Sequence, residues 1–333
     1  MKAAIYTRYG AADVVKIGHV QDPVPRPNQV LIRVYATTVS SGDWRARSLD
    51  MPPGFGPIGR LVFGVFGPRK NILGTELAGV VENIGDQVTK FAIGDAVVAY
   101  CGAAMGAHAE LVCMNEDAAI AHKPANLTFE QAAALAFGGD TALDFLCNKG
   151  GLKSGERVLV NGASGATGSA AVQLARHFGA HVTGVTSTAN VDLVRRLGAH
   201  EVIDYTTTDF ARGEKPYDII VDTVGNAPWK RSKPMLGDTG RLLLIAGSLR
   251  DMLSASFVSR KGGKKLVAGV AMGSAENLHT LVKLARSGAF TPLVERSYPF
   301  DQIARAHAHV ETGRKKGSVV VCLVPAPGAR AAI

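Results

Sequence analysis

Apolar side chains recur along this chain in two different rhythms. Up to about residue 123 the apolar runs are brief, at 3–6, 14–17, 30–37, 77–84, 96–100, 108–112 and 118–122, and Pro and Gly punctuate them, as in Pro23-Val24-Pro25-Arg26-Pro27. Many short strands with turn signals between them predict a β-barrel-like domain over residues 1–123. From Thr128 the spacing becomes helical. Residues 130–135 and 141–146 flank a Gly138-Gly139 break, and Thr128 stands where an N-cap belongs. After Gly150 strands and helices alternate. Residues 157–161 form an apolar run, Ala170, Val172, Leu174, Ala175 and Phe178 follow at helical spacing, and Gly179 is placed to end that helix. Residues 181–186 and 201–205 read as the next two strands, with a helix between them that closes at Arg195, Leu197 and Gly198. This alternation implies right-handed crossovers and a parallel sheet. It continues through strands at 217–224, 241–246 and 266–272 and a last helix at 275–287. The predicted fold class is therefore α/β, with a doubly wound domain over 124–290 and a segment at 291–333 whose strand, 317–323, returns to the first domain. Residues 325–333 read as a frayed tail.

Composition narrows the class. At 333 residues the chain can build two domains and a large core. No apolar run is as long as a membrane span, and Met-Lys-Ala-Ala-Ile-Tyr lacks the architecture of a signal peptide, so the expectation is a cytoplasmic protein without a transmembrane segment. Cys101, Cys113, Cys147 and Cys322 are scattered, with no C-x-x-C, which fits reduced thiols and not a thiolate zinc cluster. The net charge of +9 concentrates late, in Lys230, Arg231, Lys233, Arg260, Lys261, Lys264 and Lys265 and again in Arg314, Lys315 and Lys316. A basic surface without a recognition module reads as solvated faces and a field for a polyanionic ligand, not as a nucleic-acid site.

The polyanion is suggested by the first strand of the alternating region. Asn161 is followed by Gly162, Gly165 and Gly168, a G-x-x-G-x-x-G turn leading straight into a helix. Such a turn gathers free backbone N–H groups and the positive end of a helix dipole, which suits a dinucleotide pyrophosphate. A site for NAD usually carries Asp or Glu about 20 residues further on, at the end of the second strand. Here that stretch reads Val185-Thr186-Ser187-Thr188-Ala189-Asn190, so a 2′-phosphate meets no carboxylate, and the Ser187 and Thr188 hydroxyls are placed to donate to it. NADPH is the expected cofactor, with NADH possible because no Arg or Lys lies in that loop. In a parallel sheet, ligands lie at the carboxyl ends of the strands, so Val224-Gly225 and Ala246-Gly247 are candidates for the nicotinamide side.

Residues 51–70 are rich in Gly, Pro and apolar side chains. They read as a flap over an apolar substrate through Phe55, Phe63 and Phe66, as a membrane-surface or oligomer contact, or as a loop packed on its own domain.

With Gly74-Thr75-Glu76-Leu77-Ala78-Gly79-Val80-Val81, Ile93-Gly94-Asp95-Ala96-Val97, the glycine turn and Val202-Ile203-Asp204-Tyr205 in view, nearly the whole chain resembles the medium-chain dehydrogenase/reductase superfamily, in its zinc-free quinone oxidoreductase (zeta-crystallin-like) branch. The resemblance implies a Rossmann doubly wound parallel sheet plus a GroES-like β-barrel catalytic domain. Zinc enzymes of that superfamily carry a Cys ligand three residues before an Asp, and later a Gly-His-Glu. The matching positions here are Ser40, before Asp43, and Thr75. Neutral hydroxyls are poor zinc ligands, so no metal is expected, and Ser40, Thr75 and Asp43 are the candidate catalytic residues, with the Ser40 hydroxyl expected to donate to a carbonyl oxygen. The resemblance also implies that Gly162, Ala163, Gly165, Ala166, Thr167 and Gly168 hold the pyrophosphate. It places Ser187, Asn190 and Tyr205 around the 2′-phosphate, with Asn190 where Lys is common, Thr141 near the nicotinamide ribose, and Lys316 near the cofactor.

Without a metal, hydride addition to a quinone or an α,β-unsaturated carbonyl is the expected chemistry, since the anion it generates is delocalised. Alternatives are an NADPH-binding sensor or RNA-binding protein with weak turnover, and an NAD(P)-dependent alcohol dehydrogenase or aldehyde reductase. A homodimer formed by extending the sheet at the 266–272 edge is expected from the resemblance.

Overall fold

The computed structural model describes residues 1–212, 216–260, 263–271 and 273–324. Short apolar strands open the chain: β1 (Lys2–Ile5), β2 (Lys16–His19), β3 (Gln29–Val39), β4 (Glu76–Ile84), β5 (Ala96–Tyr100), β6 (Leu111–Asn115) and β7 (Ile120–His122). Then come β8 (Arg157–Asn161), β9 (His181–Thr186), β10 (Glu201–Asp204), β11 (Tyr217–Asp222), β12 (Leu236–Leu244) and β13 (Lys265–Ala268), and finally β14 (Val294–Pro299) and β15 (Ser318–Cys322). Two compact units result. One comprises Met1–Met51, Gly56–Phe137 and the described part of Met272–Ile333; the other comprises Pro52–Phe55 and Gly138–Ala271.

The first unit is built on a seven-stranded sheet in the order β14-β15-β3-β4-β5-β7, with β6 also paired to β3. Its pairings are antiparallel except β14 on β15. Eleven-residue β3 is the spine, and Val30, Ile32 and Val34 bury against Leu77, Val81, Val97 and Ala99. β1 pairs with β2 as a separate ribbon.

The second unit is a six-stranded parallel sheet in the order β10-β9-β8-β11-β12-β13. The order reverses direction between β8 and β11, and the carboxyl ends of strands at such a point are where this class of sheet holds its ligands. β8 reads Arg-Val-Leu-Val-Asn, and Val158, Leu159 and Val160 are fully buried, as a strand covered on both faces requires.

Several elements differ from expectation. The units divide after Phe137 and Ala271, not near residues 123 and 290. Helix Ala275–Arg286 belongs to the first unit because its apolar face packs toward β7. The Gly138-Gly139 pair does not interrupt a helix; helix Ala136–Leu143 runs through it, and the break falls at the C-cap Ala134. Gly138 is there for close approach, since a Cβ would lie 2.7 Å from the Ala166 carbonyl oxygen. The strand expected at 266–272 ends at Ala268. Met272, Lys261 and the tail 325–333 lie outside the described residues. Among the described residues, no helix is long and apolar enough to cross a membrane.

Candidate functional site

In the second unit the chain leaves β8 at Asn161 and turns through the glycines. Gly162 adopts φ +82°, and a Cβ there would stand 2.4 Å from Thr223 Oγ1, so the tight turn admits no other residue. Ala163 is buried and donates its N–H to the Val185 carbonyl at 3.0 Å. Gly168 lets the following helix lie on the turn, where a Cβ would meet the Gly162 carbonyl oxygen at 2.0 Å. Gly165 is the N-cap of helix Ala166–His177, in extended conformation, and no side chain caps it. The N–H groups of Ala166, Thr167 and Gly168 therefore sit in a first helical turn with no intrahelical acceptor, beside a residue whose lack of a side chain leaves room. That combination fits a pyrophosphate.

The adenosine end is more crowded than the residue string suggested. Asn190 Nδ2 donates to Ser164 Oγ at 3.3 Å and Ser187 Oγ at 3.2 Å, so it ties the turn to the loop after β9. Tyr205 is 58% exposed and held by its N–H on the Thr186 carbonyl. The Thr188 hydroxyl, however, donates to Asp204 Oδ2 at 2.6 Å. It is committed, and the loop expected to be free of carboxylates has one brought beside it from the end of β10. Hydrogen bonds from Thr188 and Thr206 hold the Asp204 carboxyl below its usual range, so it is anionic.

At the other strand ends, Asp222 is buried and accepts from the N–H groups of Val224, Gly225 and Ala227, which fixes the loop after β11. Val224 is left exposed, and Gly225, at φ +91°, lies against Ala246, where a Cβ would stand 3.3 Å from the Ala246 carbonyl oxygen. Val224, Gly225 and Ala246 are thus neighbours, with Gly247 next in chain. Thr141 is buried in helix Ala136–Leu143.

In the first unit, Ser40 and Thr75 converge, their hydroxyl oxygens 3.5 Å apart, and both are almost fully buried. Ser40 is the N-cap of helix Ser41–Ser48 in a capping box with Asp43. Its hydroxyl donates to Asp43 Oδ2 at 2.6 Å, and the other carboxylate oxygen accepts from the Gly74 N–H at 2.8 Å. In this arrangement the single proton of Ser40, expected to serve a carbonyl oxygen, lies on Asp43. In the Ser40–Thr75 contact the donor is then Thr75, and that contact is long enough to be exchanged for a better acceptor. The Asp43 carboxylate joins the helix start to the Gly74-Thr75 segment. At the positions where zinc relatives carry Cys and His, this donor set of two hydroxyls with a committed carboxylate does not fit zinc. Among the described residues no group of three or more His, Cys, Asp or Glu side chains is arranged to hold a metal.

Two further titratable groups of this unit, Glu76 and Lys315, are shifted by burial. Glu76 is buried, and its carboxyl accepts from the Thr38 hydroxyl and from the N–H groups of Ala136 and Phe137 at 3.0 and 2.6 Å, capping the helix that begins there. Burial raises its pKa from 4.5 to about 7. Because the folded value lies above the unfolded one, the stability Glu76 contributes is complete below about pH 4.5 and is lost as pH rises through about 7. Glu76→Gln, neutral throughout, should lose less stability than wild type between pH 5 and pH 8, by on the order of 2 kcal/mol in urea denaturation. Equal losses would show Glu76 ionised at both. The second group is Lys315. Lys316 contributes its backbone N–H to Glu295, whereas the Lys315 ammonium is the one lowered, by burial, to about 8, with Nζ on the Gly317 carbonyl at 2.6 Å. The residue string shows Glu76 only as part of a motif and Lys315 only as part of a basic run; burial is what makes each unusual.

Residues 26–125 match the family of the alcohol dehydrogenase GroES-like domain, and residues 197–321 match the family described as zinc-binding dehydrogenase. The chain is 31% identical to the chloroplast envelope quinone oxidoreductase homolog of Arabidopsis thaliana, over 96% of this chain and 98% of that one. It belongs to the medium-chain dehydrogenase/reductase superfamily. Within that superfamily it is an oxidoreductase of quinone oxidoreductase-like sequence that uses a nicotinamide cofactor. It is also 32% identical to the 2-methylene-furan-3-one reductase of Solanum lycopersicum, over 98% of this chain and 80% of that one. The quinone oxidoreductase structure from Coxiella burnetii superposes with a TM-score of 0.84 at 28% identity, covering 97% of this chain and 99% of that one. The GroES-like and Rossmann-like parts of the superfamily fold correspond to the two units described above.

Proposed function

We propose that this oxidoreductase is a metal-independent reductase that prefers NADPH and delivers a hydride to a quinone or an α,β-unsaturated carbonyl. The observation that carries this reading is the Ser40–Asp43–Thr75 arrangement, in which one hydroxyl proton is spent on the carboxylate and the other remains available. The relatives named for quinone and methylene-furanone reduction supply the substrate class.

When bound, the reduced nicotinamide supplies the hydride; the chain supplies position and polarity. Gly162, Ala163, Gly165, Ala166, Thr167 and Gly168 hold the pyrophosphate. Ser187, Asn190 and Tyr205 line the adenosine end, Thr141, Val224, Gly225, Ala246 and Gly247 the nicotinamide end, and Lys316, with Lys315 beside it, lies near the cofactor. In the substrate domain, formed by the first unit, the Thr75 hydroxyl donates to the substrate oxygen on which negative charge grows as the hydride arrives. Ser40 and Asp43 position that segment. The proton that completes the reduced product comes from solvent. Steady-state rates with a simple quinone and a simple enone, each run with NADPH and with NADH, test the reading; an alcohol oxidised faster than either is reduced would overturn it.

Asp204 tempers the cofactor preference, since its carboxylate stands beside the loop proposed for the 2′-phosphate. Asp204→Asn should raise the ratio of kcat/KM for NADPH over NADH. An unchanged ratio would place this carboxylate away from the 2′ position. Among the described residues β13 is an edge of its sheet, and we assign to it the sheet-extending contact of a homodimer.

A further inference from the structure

We propose that residues 56–66 dock this protein on an anionic lipid surface. Helix Gly56–Phe63 is apolar and amphipathic in the reverse of the ordinary sense. Ile58, Leu61, Val62 and, just past the helix end, Val65 recur at i, i+3, i+4 and i+7, the spacing of a face that packs into a core. All four are exposed, Leu61 at 64%, and Phe66 beyond them is completely exposed, at 105%. The inward side of the helix is already satisfied. Gly59 lies on Met51, so closely that a Cβ would come within 2.8 Å of its Cγ, and Phe63 packs on the cluster that contains Tyr6, Val39 and Leu73. Tyr9 fixes the end of the segment by donating its hydroxyl to the Gly64 carbonyl at 2.8 Å. The outward stripe is thus held in place by its own unit, with nothing of that unit covering it.

Charge identifies the occupant. Arg60, Arg69 and Lys70 flank the stripe, and no Asp or Glu occurs from residue 51 through residue 75. An apolar stripe whose own segment carries cations and no carboxylate matches the interface of a bilayer with anionic headgroups, where apolar side chains enter the acyl boundary and Arg and Lys remain among the phosphates. A second copy of the chain fits less well. A twofold contact through this face would set the same three cations against each other. The proposal does not rest on the reductase reading, and its readouts are independent of turnover.

The test is co-sedimentation of the full chain with vesicles of phosphatidylcholine alone and of phosphatidylcholine with about one-third phosphatidylglycerol. Binding is expected to the anionic vesicles at low salt and to weaken as salt rises. The double variant Leu61→Ser, Phe66→Ser should bind about tenfold less, because two exposed apolar side chains are removed from the contact. Arg60→Gln with Arg69→Gln and Lys70→Gln should abolish the preference for anionic over neutral vesicles. In a second measurement, the emission of Phe66→Trp should shift to the blue when anionic vesicles are added. Failure of the wild type to bind anionic vesicles, binding unchanged in the double variant, or no emission shift would each overturn the proposal. So would an apolar double variant that breaks a dimer while leaving lipid binding intact.

Discussion

Gly165→Asp should make the protein more stable and leave it unable to bind its cofactor. Position 165 is the N-cap of helix Ala166–His177, with φ −75° and ψ 174°, a conformation that Asp adopts without strain. A Cβ there meets nothing closer than the Gly162 carbonyl oxygen, at 3.5 Å. The new carboxylate would accept from the open N–H groups of the first turn and complement the helix dipole, a gain of about 0.5 kcal/mol. The same carboxylate would occupy the place proposed for the pyrophosphate. Two like charges about 4 Å apart in a partly buried site repel by roughly 4 kcal/mol, so affinity should fall by at least about a hundredfold. Thermal melting and fluorescence titration with NADPH measure the two halves separately. Loss of both stability and binding would mean that the turn is a packing device; retention of binding would mean that the pyrophosphate lies elsewhere.

The second large effect separates two hydroxyls that look equivalent in the sequence. Thr75→Ala should lower kcat by about a hundredfold while leaving NADPH affinity unchanged, the usual cost of removing one donor from a developing oxyanion. Ser40→Ala should act mainly on stability. It removes the capping box of helix Ser41–Ser48 and leaves the buried Asp43 carboxylate short of a hydrogen bond, for a loss of about 2 kcal/mol. Its effect on kcat should be the smaller of the two. If instead Ser40→Ala abolishes turnover and Thr75→Ala does not, the proton assignment within the pair is reversed.

The central strands of the parallel sheet were legible because burial on both faces leaves apolar runs such as Val158-Leu159-Val160 and Ile219-Ile220-Val221 in them. The strands at 157–161 and 181–186 have the bounds read from the residues alone, as does the antiparallel 96–100. β14 was not legible, since Val-Glu-Arg-Ser-Tyr-Pro lies at a sheet edge, three of its six residues are exposed and only Tyr298 is buried. The helix Gly56–Phe63 was masked by its Gly and Pro, residues that ordinarily signal a loop. The glycine pair at 138–139 misled for the same reason: it serves close packing on Ala166 and not a turn. In the site, the glycine turn was readable because backbone chemistry dictates it. What the residues could not disclose was the destination of single protons. Ser40 donates to Asp43 three residues away, but Thr188 reaches Asp204 sixteen residues on, across the sheet, and only the register of β9 with β10 brings them together.

The central claim is reduction without a metal, and it is tested by turnover of one preparation divided in two. One half is stripped with a chelator and exchanged into metal-free buffer; the other is supplemented with zinc. Both are assayed for NADPH oxidation at a fixed quinone concentration, with bound metal quantified in each. The account predicts equal rates and no stoichiometric zinc in either half. Activity that disappears on stripping and returns with one equivalent of zinc would contradict it.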